Sequence, residues 1–110
     1  MIKINILFDK QKFIKGIKVS GHAGYKKSGE DIVCAGISAL TYTLLNSLET
    51  IIGVKPICEV AGGFASCILP DNLVGEKFEQ SQLILRTIIL GYENIEESYK
   101  SFVEVLKEEV

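Results

Sequence analysis

Residues 32–52 read IVCAGISALTYTLLNSLETII, and they form the most apolar segment of the chain. Apolar side chains recur there at steps of three and four residues, which is the spacing of one buried face of an α-helix. The positions on this face are Val33, Ile37, Leu40, Leu44 and Leu48. Because Ser38, Asn46 and Glu49 interrupt the run, the segment is typical of a buried or amphipathic helix and not of a membrane span.

Both ends of this helix carry sequence signals. Glu30 or Asp31 can cap a helix that begins at about Ile32, because a side-chain oxygen there accepts hydrogen bonds from the first backbone N–H groups. Gly53 suits the left-handed residue that follows a last helical turn, and Pro56 prevents the helix from continuing. The sequence therefore predicts one long helix between these signals.

Short strands are predicted on both sides of the helix. Residues 2–8 alternate between apolar and polar side chains, and residues 13–20 repeat the pattern after a polar turn, which predicts a hairpin. Residues 57–69 hold two shorter strands around Gly62-Gly63, a dipeptide suited to a tight hairpin turn. A second hairpin is therefore expected after the helix.

The register of the second hairpin brings two cysteines together. If its turn has only the two glycines, Cys58 faces Cys67 and Val60 faces Ala65. Directly opposed strand residues are close enough for a disulfide, whereas a reducing cytoplasm keeps such thiols free. The sequence leaves the state of this pair open.

The last part of the chain is predicted to be helical from about Glu76 to near the end. Its apolar stripe contains Phe78, Leu85, Ile89, Tyr92, Ile95, Tyr99, Val103 and Leu106. The element order is then ββα-ββα within a single domain, residues 1–110. We expect the α+β class, as a two-layer fold with a four-stranded antiparallel sheet covered by two helices.

Composition and charge narrow the functional classes. A chain of 110 residues that is 47% apolar can bury a core without disulfides or metal. The net charge is −2, although residues 1–30 carry seven Lys against Asp9 and Glu30, and residues 93–110 carry six Glu against two Lys. The basic part could favour an acidic or RNA-rich neighbourhood, but we favour the interpretation that these lysines maintain solubility. The start MIKINILFDK has no apolar signal-peptide run, which predicts a cytoplasmic protein.

The cysteine pattern argues against a metal site. The chain has three cysteines, an odd count that, without a secretion signal, indicates reduced thiols. No Cys-x-x-Cys pair occurs, and the chain contains a single histidine. We therefore expect no zinc site, no other metal and no cofactor.

Cys34 and His22 are the residues whose chemistry could form an active site. Cys34 is the third residue of the predicted helix, where the partial positive charge of unpaired N–H groups favours a thiolate. His22 is the only imidazole that could take the thiol proton and return it to a leaving amine. The same N–H groups could hold a developing oxyanion. A packed cysteine and a solvated histidine are the ordinary alternatives, and residue types alone leave both interpretations open.

Two polar residues near Cys34 have alternative roles. Asp31 could orient the imidazole as the third group of a triad, or it could simply cap the helix, which is the commoner role. Ser38 could hydrogen-bond near the nucleophile, or it could bond back to the Cys34 carbonyl within the helix. Cys34, Ser38 and Thr41 would form a small polar strip along the helix beside its apolar face.

The motif around these residues closely resembles a known family. GHA at residues 21–23, GEDIVCA at 29–35 and ISAL at 37–40 are similar to the ribosomal-processing cysteine protease family, known as Prp or YsxB-like. The resemblance extends to the ββα-ββα order, the glycine hairpin and the last helix, so it covers nearly the whole chain. It implies a small homodimeric cysteine protease.

The resemblance also implies a substrate and roles for individual residues. Such an enzyme removes a short N-terminal extension from a large-subunit ribosomal protein precursor, cutting after an aromatic residue. Cys34 would be the nucleophile and His22 the general base, and the 22–33 loop would be a mobile lid. The positions that would shape or support the site are Gly21, Asp31 and Ser38.

Two alternatives belong to other functional classes. A non-catalytic ribosome-associated binding protein is supported by the basic N-terminal part, although no direct nucleic-acid site and no membrane segment is evident. A thiol redox protein that uses Cys58 and Cys67 has less support, because neither cysteine lies at the start of a predicted helix. The motif favours the protease.

Overall fold

One layer of the fold is a five-stranded sheet in the computed structural model, which describes residues 1–27 and 30–110. The strands are β1 (Ile2–Phe8), β2 (Ile14–Ser20), β3 (Ile57–Ala61), β4 (Phe64–Ile68) and β5 (Val103–Glu109). Their order across the sheet is β3-β4-β2-β1-β5. Neighbours pair in antiparallel fashion except β5, which runs parallel to β1.

The sheet has one apolar face because its strands alternate in phase. Ile4 and Ile6 of β1 lie opposite Val19 and Ile17 of β2, and all three isoleucines of β1 are buried. Lys18, between the two paired positions of β2, lies on the other face and is exposed. The inner face therefore supplies the sheet's share of the core.

Two helices form the second layer. They are α1 (Ile32–Ser47), which continues as a π-helical segment (Leu48–Ile52), and α2 (Gly75–Ser98). The predicted end at Gly53 is confirmed, since this residue has a left-handed φ of 79°. Side chains from both helices join the inner face of the sheet in one hydrophobic core. The predicted α+β class and two-layer architecture are confirmed.

The apolar segment of α1 lies in this core. By length and composition alone, Ile32–Ile52 could cross a membrane, a test that the core helix of a soluble protein also passes. Its buried positions include Val33, Ile37, Leu44 and Leu48, which pack with the inner face of the sheet. The burial agrees with the predicted core helix.

The predicted four-stranded, wholly antiparallel sheet is wrong in its strand count. The last helix ends at Ser98 and not near residue 110, and β5 follows it. Val103 lies opposite Ile2 in the parallel pair, and the Ile2 N–H donates to the Phe102 carbonyl at 2.9 Å. Residues 99, 103 and 106 would keep the helical phase of α2, so periodicity did not distinguish the two structures. Pairing with β1 favours a strand over a helix here, because the backbone groups of β1 would otherwise lack hydrogen-bond partners on that side.

The second hairpin has the predicted register. Cys58 pairs with Cys67 and Val60 with Ala65, and the two glycines between the strands form the turn. The hairpin lies at one side of the sheet, where β4 also pairs with β2. Its inner face therefore borders the start of α1.

A buried hydroxyl pair joins the two helices. The Thr41 hydroxyl donates to the Ile37 carbonyl at 2.7 Å, and Thr41 Oγ1 lies 2.7 Å from the Tyr92 hydroxyl. Because a threonine hydroxyl has only one hydrogen, the Tyr92 hydroxyl must be the donor in the second bond. Tyr92 is fully buried, and this burial raises its pKa to about 12. Thr41 therefore supplies the hydrogen-bond acceptor that offsets the cost of burying the Tyr92 hydroxyl.

We expect Thr41→Val to lower the free energy of unfolding by about 1–3 kcal/mol, because it leaves the Tyr92 hydroxyl buried without an acceptor. Tyr92→Phe should cost less, about 0.5–1.5 kcal/mol, since Thr41 keeps its bond to Ile37. Urea unfolding monitored by circular dichroism measures both. Thr43→Val is the matched control, because Thr43 makes the same helical back-bond on the exposed side. A cost for Thr41→Val no larger than that of the control would contradict this account.

Candidate active site

Cys34 lies in the first turn of α1 and is half-buried. Asp31 is the N-cap residue, and its Oδ1 accepts hydrogen bonds from the N–H groups of Val33 at 3.0 Å and Cys34 at 2.9 Å. The prediction that Glu30 or Asp31 caps the helix is therefore confirmed for Asp31. The cap fixes the first turn and with it the position of the thiol.

Asp31 also joins the helix to the loop before it. Its Oδ2 accepts from the Tyr25 N–H at 3.1 Å. The pKa of Asp31 is lowered from its ordinary value, above all by the Cys34 N–H, with further contributions from the Tyr25 and Lys26 N–H groups. Desolvation acts in the opposite direction and is outweighed. The carboxylate thus stays ionised while it holds two segments together.

Three of the N–H groups at the helix start, where an oxyanion site was expected, are already bonded in this conformation. The N–H groups of Val33 and Cys34 donate to the Asp31 side chain, and the Ala35 N–H donates to the Asp31 carbonyl at 3.1 Å. The N–H that points at the thiol comes instead from the loop, because Ala23 donates to Cys34 Sγ at 3.3 Å. The hydrogen bond to the sulfur therefore comes from the loop before the helix.

His22 is held at the end of β2 by two glycines. Gly21, directly before it, has a φ of +88°, and its N–H donates to the Gly63 carbonyl at 2.9 Å. A side chain at Gly21 would overlap the Met1 carbonyl oxygen, so only glycine fits there. A Cβ on Gly63 would lie 3.1 Å from Nε2 of His22, which places the imidazole against the second hairpin. Sequence reasoning recognised Gly63 only as a turn residue.

His22 and Cys34 border the same cavity, which has a volume of about 190 Å³. One wall is the polar strip predicted along α1, namely Cys34, Ser38 and Thr41. The remaining wall and floor are mostly apolar, and they are formed by Ile2, Val19, Ile37, Tyr42, Val60, Ala61, Phe64 and Ala65. The two residues singled out from the sequence are thus brought to one concave site.

The imidazole and the thiol are not bonded to each other in this conformation. Within residues 1–27 and 30–110, Cys34 Sγ accepts from Ala23, and no hydrogen bond joins it to His22. His22 is exposed to solvent, so its ring has space to change orientation. In the part of the chain that the structure describes, the site therefore contains a thiol and an imidazole on one cavity without a hydrogen bond between them.

Ser38 is exposed and faces the cavity. Thr41 and Thr43 bond back to carbonyls one turn earlier in α1, at Ile37 and Ala39. Among the described residues, Ser38 makes no such bond to the Cys34 carbonyl. Its hydroxyl is therefore available to a molecule in the cavity.

The loop before α1 is anchored by aromatic packing that the sequence did not reveal. The Tyr25 ring contacts Tyr99 and Phe102 edge to face, with centroid separations of 5.6 and 5.2 Å. Both partners lie in the connection from α2 to β5, so this contact depends on the missed strand. Gly29, which belongs to the predicted 22–33 lid, lies outside the described residues. The mobility predicted for the 22–33 loop stays a prediction.

Comparison with known proteins shows the family to which the chain belongs. The family described as Cysteine protease Prp matches residues 1–104. The chain belongs to this family. It is therefore a cysteine protease, which favours an enzyme over the non-catalytic binding protein.

Relatives and solved structures cover almost the whole chain. The Ribosomal processing cysteine protease Prp of Bacillus subtilis is 30% identical over 107 residues, 96% of each chain. A crystal structure of the Staphylococcus aureus protease Prp, with a covalently linked product peptide, matches with a TM-score of 0.88 at 27% identity, covering 98% of this chain and 100% of that one. A structure of the S. aureus protease with a substrate peptide has a TM-score of 0.84 at 24% identity and the same coverage, a likeness of fold.

We expect Asp31→Ala to lower the Tm, because it removes three acceptor interactions at the start of α1. A carboxyl with a lowered folded-state pKa contributes stability above its unfolded pKa of about 3.9, and this is lost as the pH falls through the lower folded value. The Tm difference between wild type and Asp31→Ala should therefore be constant above about pH 5 and shrink below about pH 4. Thermal unfolding across this pH range is the measurement.

Asp31→Asn is the matched control for this prediction. Its amide oxygen can still accept from Val33 and Cys34, but its NH₂ cannot accept from Tyr25. The Tm of this variant should lie between those of the other two proteins. The Tm difference between Asp31→Asn and Asp31→Ala should not change between pH 3 and 5, roughly the range in which a carboxyl titrates. A wild-type advantage that persists unchanged to the lowest pH would argue against an ionised cap.

Proposed function

We propose that the chain removes the N-terminal extension of a large-subunit ribosomal protein precursor in the cytoplasm during ribosome assembly. The observation that carries this proposal is that His22 and Cys34 border one cavity in a member of the Prp family. The B. subtilis relative is a ribosomal processing protease, and S. aureus Prp has been crystallised with substrate and product peptides. These relatives support a peptide segment as the substrate of this chain.

Cys34 is the nucleophile of the proposed reaction. Its Sγ attacks the scissile carbonyl carbon, and His22 takes the thiol proton and returns it to the leaving amine, which breaks the peptide bond. Water then attacks the resulting thioester, with His22 as the base, and releases the new carboxylate and the free thiol. The Ala23 N–H, which donates to Sγ, holds the sulfur in position at the start of the cycle.

The peptide completes the His22–Cys34 dyad. The two side chains border the cavity without a mutual hydrogen bond, and His22 is exposed. A peptide in the cavity displaces water and restricts the imidazole to orientations that reach the thiol. Hydrogen bonds of catalytic pairs commonly tighten only in the substrate complex, so the open arrangement is compatible with this role.

The other predicted site residues act as supports. Asp31 is the helix cap, because both of its carboxylate oxygens are engaged by backbone N–H groups of residues 25, 33 and 34. Gly21 directs the chain so that His22 lies over the second hairpin. Ser38 offers its hydroxyl to the substrate backbone in the cavity.

The apolar part of the cavity accepts the aromatic side chain that precedes the cleaved bond. The whole cavity has a volume of about 190 Å³, and an apolar cavity of about 150 Å³ is large enough to bind benzene. Val60, Phe64 and Ala65 supply apolar surface opposite the Cys34 side of the cavity. An aromatic ring there leaves the following peptide bond near the thiol.

The assembly state belongs to the same proposal. We expect a homodimer, no cofactor and no direct nucleic-acid contact, with the precursor's N-terminal extension as the partner of the site. Light scattering coupled to size-exclusion chromatography measures the mass in solution. Cleavage of a free peptide without ribosomes would favour the enzyme acting alone on its substrate.

We expect Cys34→Ala to abolish cleavage of a peptide that spans the junction between extension and mature ribosomal protein. His22→Ala should retain cleavage but lower kcat/KM by roughly 10²–10⁴-fold, the usual contribution of a general base. Chromatographic quantification of the two product peptides measures both effects. The matched control is Cys58→Ser, which removes an exposed thiol on β3 and should retain wild-type cleavage. Cleavage by Cys34→Ala at the rate of the control would exclude Cys34 as nucleophile.

We expect Ala65→Leu to fill part of the cavity and lower kcat/KM for the aromatic-containing peptide by at least about 10-fold, since a mismatch of a single methylene in an apolar pocket already costs about 10- to 200-fold. For a peptide with alanine before the scissile bond, the same substitution should lower kcat/KM much less. The comparison is kcat/KM for both peptides in both proteins. Ala39→Leu, on an exposed position of α1 outside the cavity, is the control. Equal losses for the two peptides would place the aromatic residue elsewhere.

A further inference from the structure

Cys58 and Cys67 form a thiol pair that the proposed peptidase reaction does not use. They lie directly opposite each other on β3 and β4, with side chains on the same face of the sheet. Cys67 is 1% exposed, whereas Cys58 lies on the edge strand and is exposed. Both are free thiols in the structure.

The hydrogen-bond pattern of β4 sets the separation of this pair. Toward β2, the Gly21 N–H bonds to the Gly63 carbonyl, and the Leu69 N–H bonds to the Lys15 carbonyl. In an antiparallel sheet, every second residue of a strand directs its N–H and C=O toward the same neighbouring strand. Cys67 lies an even number of residues from both Gly63 and Leu69, so its backbone groups also point toward β2. The Cys58–Cys67 pair toward β3 is therefore a non-hydrogen-bonded pair.

This pair type matches the geometry of a disulfide. Non-hydrogen-bonded antiparallel pairs have Cα atoms about 4.5 Å apart, the closer of the two spacings in such a ladder. Disulfides span Cα separations of about 4.4–6.8 Å, so the two thiols can join without movement of either strand. The register alone thus places them within bonding reach.

The surroundings of the pair disfavour thiolates but suit a disulfide. Burial raises the pKa of the Cys67 thiol, with the neighbouring Cys58 as a further cause. Burial also raises the pKa of Cys58, with Glu49 adding to the effect. A disulfide carries no charge and has apolar character, so it avoids the desolvation cost that opposes both thiolates.

We propose that Cys58 and Cys67 are a thiol oxidation site that forms an intramolecular cross-strand disulfide with a small disulfide oxidant such as glutathione disulfide. The exposed Cys58 thiolate attacks one sulfur of the oxidant and expels a glutathione thiolate, leaving a mixed disulfide. The Cys67 sulfur then attacks Cys58 Sγ and expels the second glutathione. The two cysteine protons pass to the two glutathione thiolates, so the protein loses two hydrogens and the oxidant gains them.

The bond would lie next to the floor of the active-site cavity. Val60 and Ala65 form the next pair on the same face of the hairpin, two residues along each strand, and both border the cavity. A link between Cys58 and Cys67 closes a covalent loop through the hairpin turn that contains Gly63. Because a crosslink restricts the unfolded chain, the oxidised protein should have the higher Tm.

The test uses the Cys34→Ala protein, in which only these two cysteines remain. The native protein is equilibrated with glutathione buffers of increasing oxidised fraction, quenched with acid, alkylated and weighed by mass spectrometry. Cleavage after Glu59, which lies between the two cysteines, then separates them unless they are bonded. We expect a mass lower by two hydrogen atoms, no alkylation, and fragments on either side of Glu59 that separate only after reduction.

Two single variants in the same background identify the order of attack. Cys67→Ser should accumulate one glutathione on Cys58, because the resolving thiol is gone. Cys58→Ser should remain unmodified in the native state, because Cys67 is buried. Only the protein with both cysteines should show a Tm that rises on oxidation.

Several results would overturn the proposal. Two alkylated cysteines in the most oxidising buffer would show that the pair does not close. A stable glutathione adduct in the protein with both cysteines, or a disulfide between two chains, would show that Cys67 does not resolve the mixed disulfide. The same linkage is expected in the wild type, and a bond to Cys34 there would also refute it. None of these readouts depends on peptidase activity, so the two proposals can fail independently.

Discussion

The burial of α1 against the inner face of the sheet is the constraint on which the rest of the structure depends. Val33, Ile37, Leu44 and Leu48 pack in one core with the isoleucines of the central strands, because joining the two apolar surfaces removes both from water. This burial fixes the rotation of the helix about its axis. The neighbouring strip with Cys34 is then directed toward the second hairpin and the end of β2, where His22 leaves the sheet.

The start of α1 shows how one side chain can both build a site and limit its chemistry. Asp31 aligns the first turn and ties it to Tyr25, but in doing so it occupies the N–H groups that a helix start would otherwise offer to an oxyanion. The loop supplies a donor in their place, the Ala23 N–H on Cys34 Sγ. The electrostatic environment of the thiol therefore comes from the loop as much as from the helix.

Features governed by local rules could be predicted from the sequence. The cap at Asp31, the left-handed Gly53 and the register of the second hairpin each follow from a few neighbouring residues and were found as expected. The end of α2 was not predicted correctly, because Tyr99 and Val103 fit a helical stripe and a strand equally well. Pairing with β1, which is distant in sequence, is what distinguishes the strand from a helix. A single sequence does not show which distant segments pair.

In the candidate site, too, local features could be predicted and contacts between distant segments could not. Cys34 and His22 carry recognisable chemistry in a recognisable motif, so both could be named in advance. The contribution of Gly63 depends on how closely the imidazole approaches the hairpin, and that of Tyr25 depends on packing with Tyr99 and Phe102. These contacts join segments distant in sequence. No spacing rule could reveal them.

The parallel pairing of β1 with β5 has a consequence for the order in which this molecule matures. β1 emerges first from the ribosome, yet one of its two neighbours in the sheet is synthesised only after α2 is complete. The aromatic anchor of the loop before Cys34 uses Tyr99 and Phe102, which emerge at the same late stage. A partly made chain thus has its thiol and imidazole but lacks the support that holds their loop in place. The loop before Cys34 therefore gains its aromatic contacts only after the last part of the chain has been synthesised.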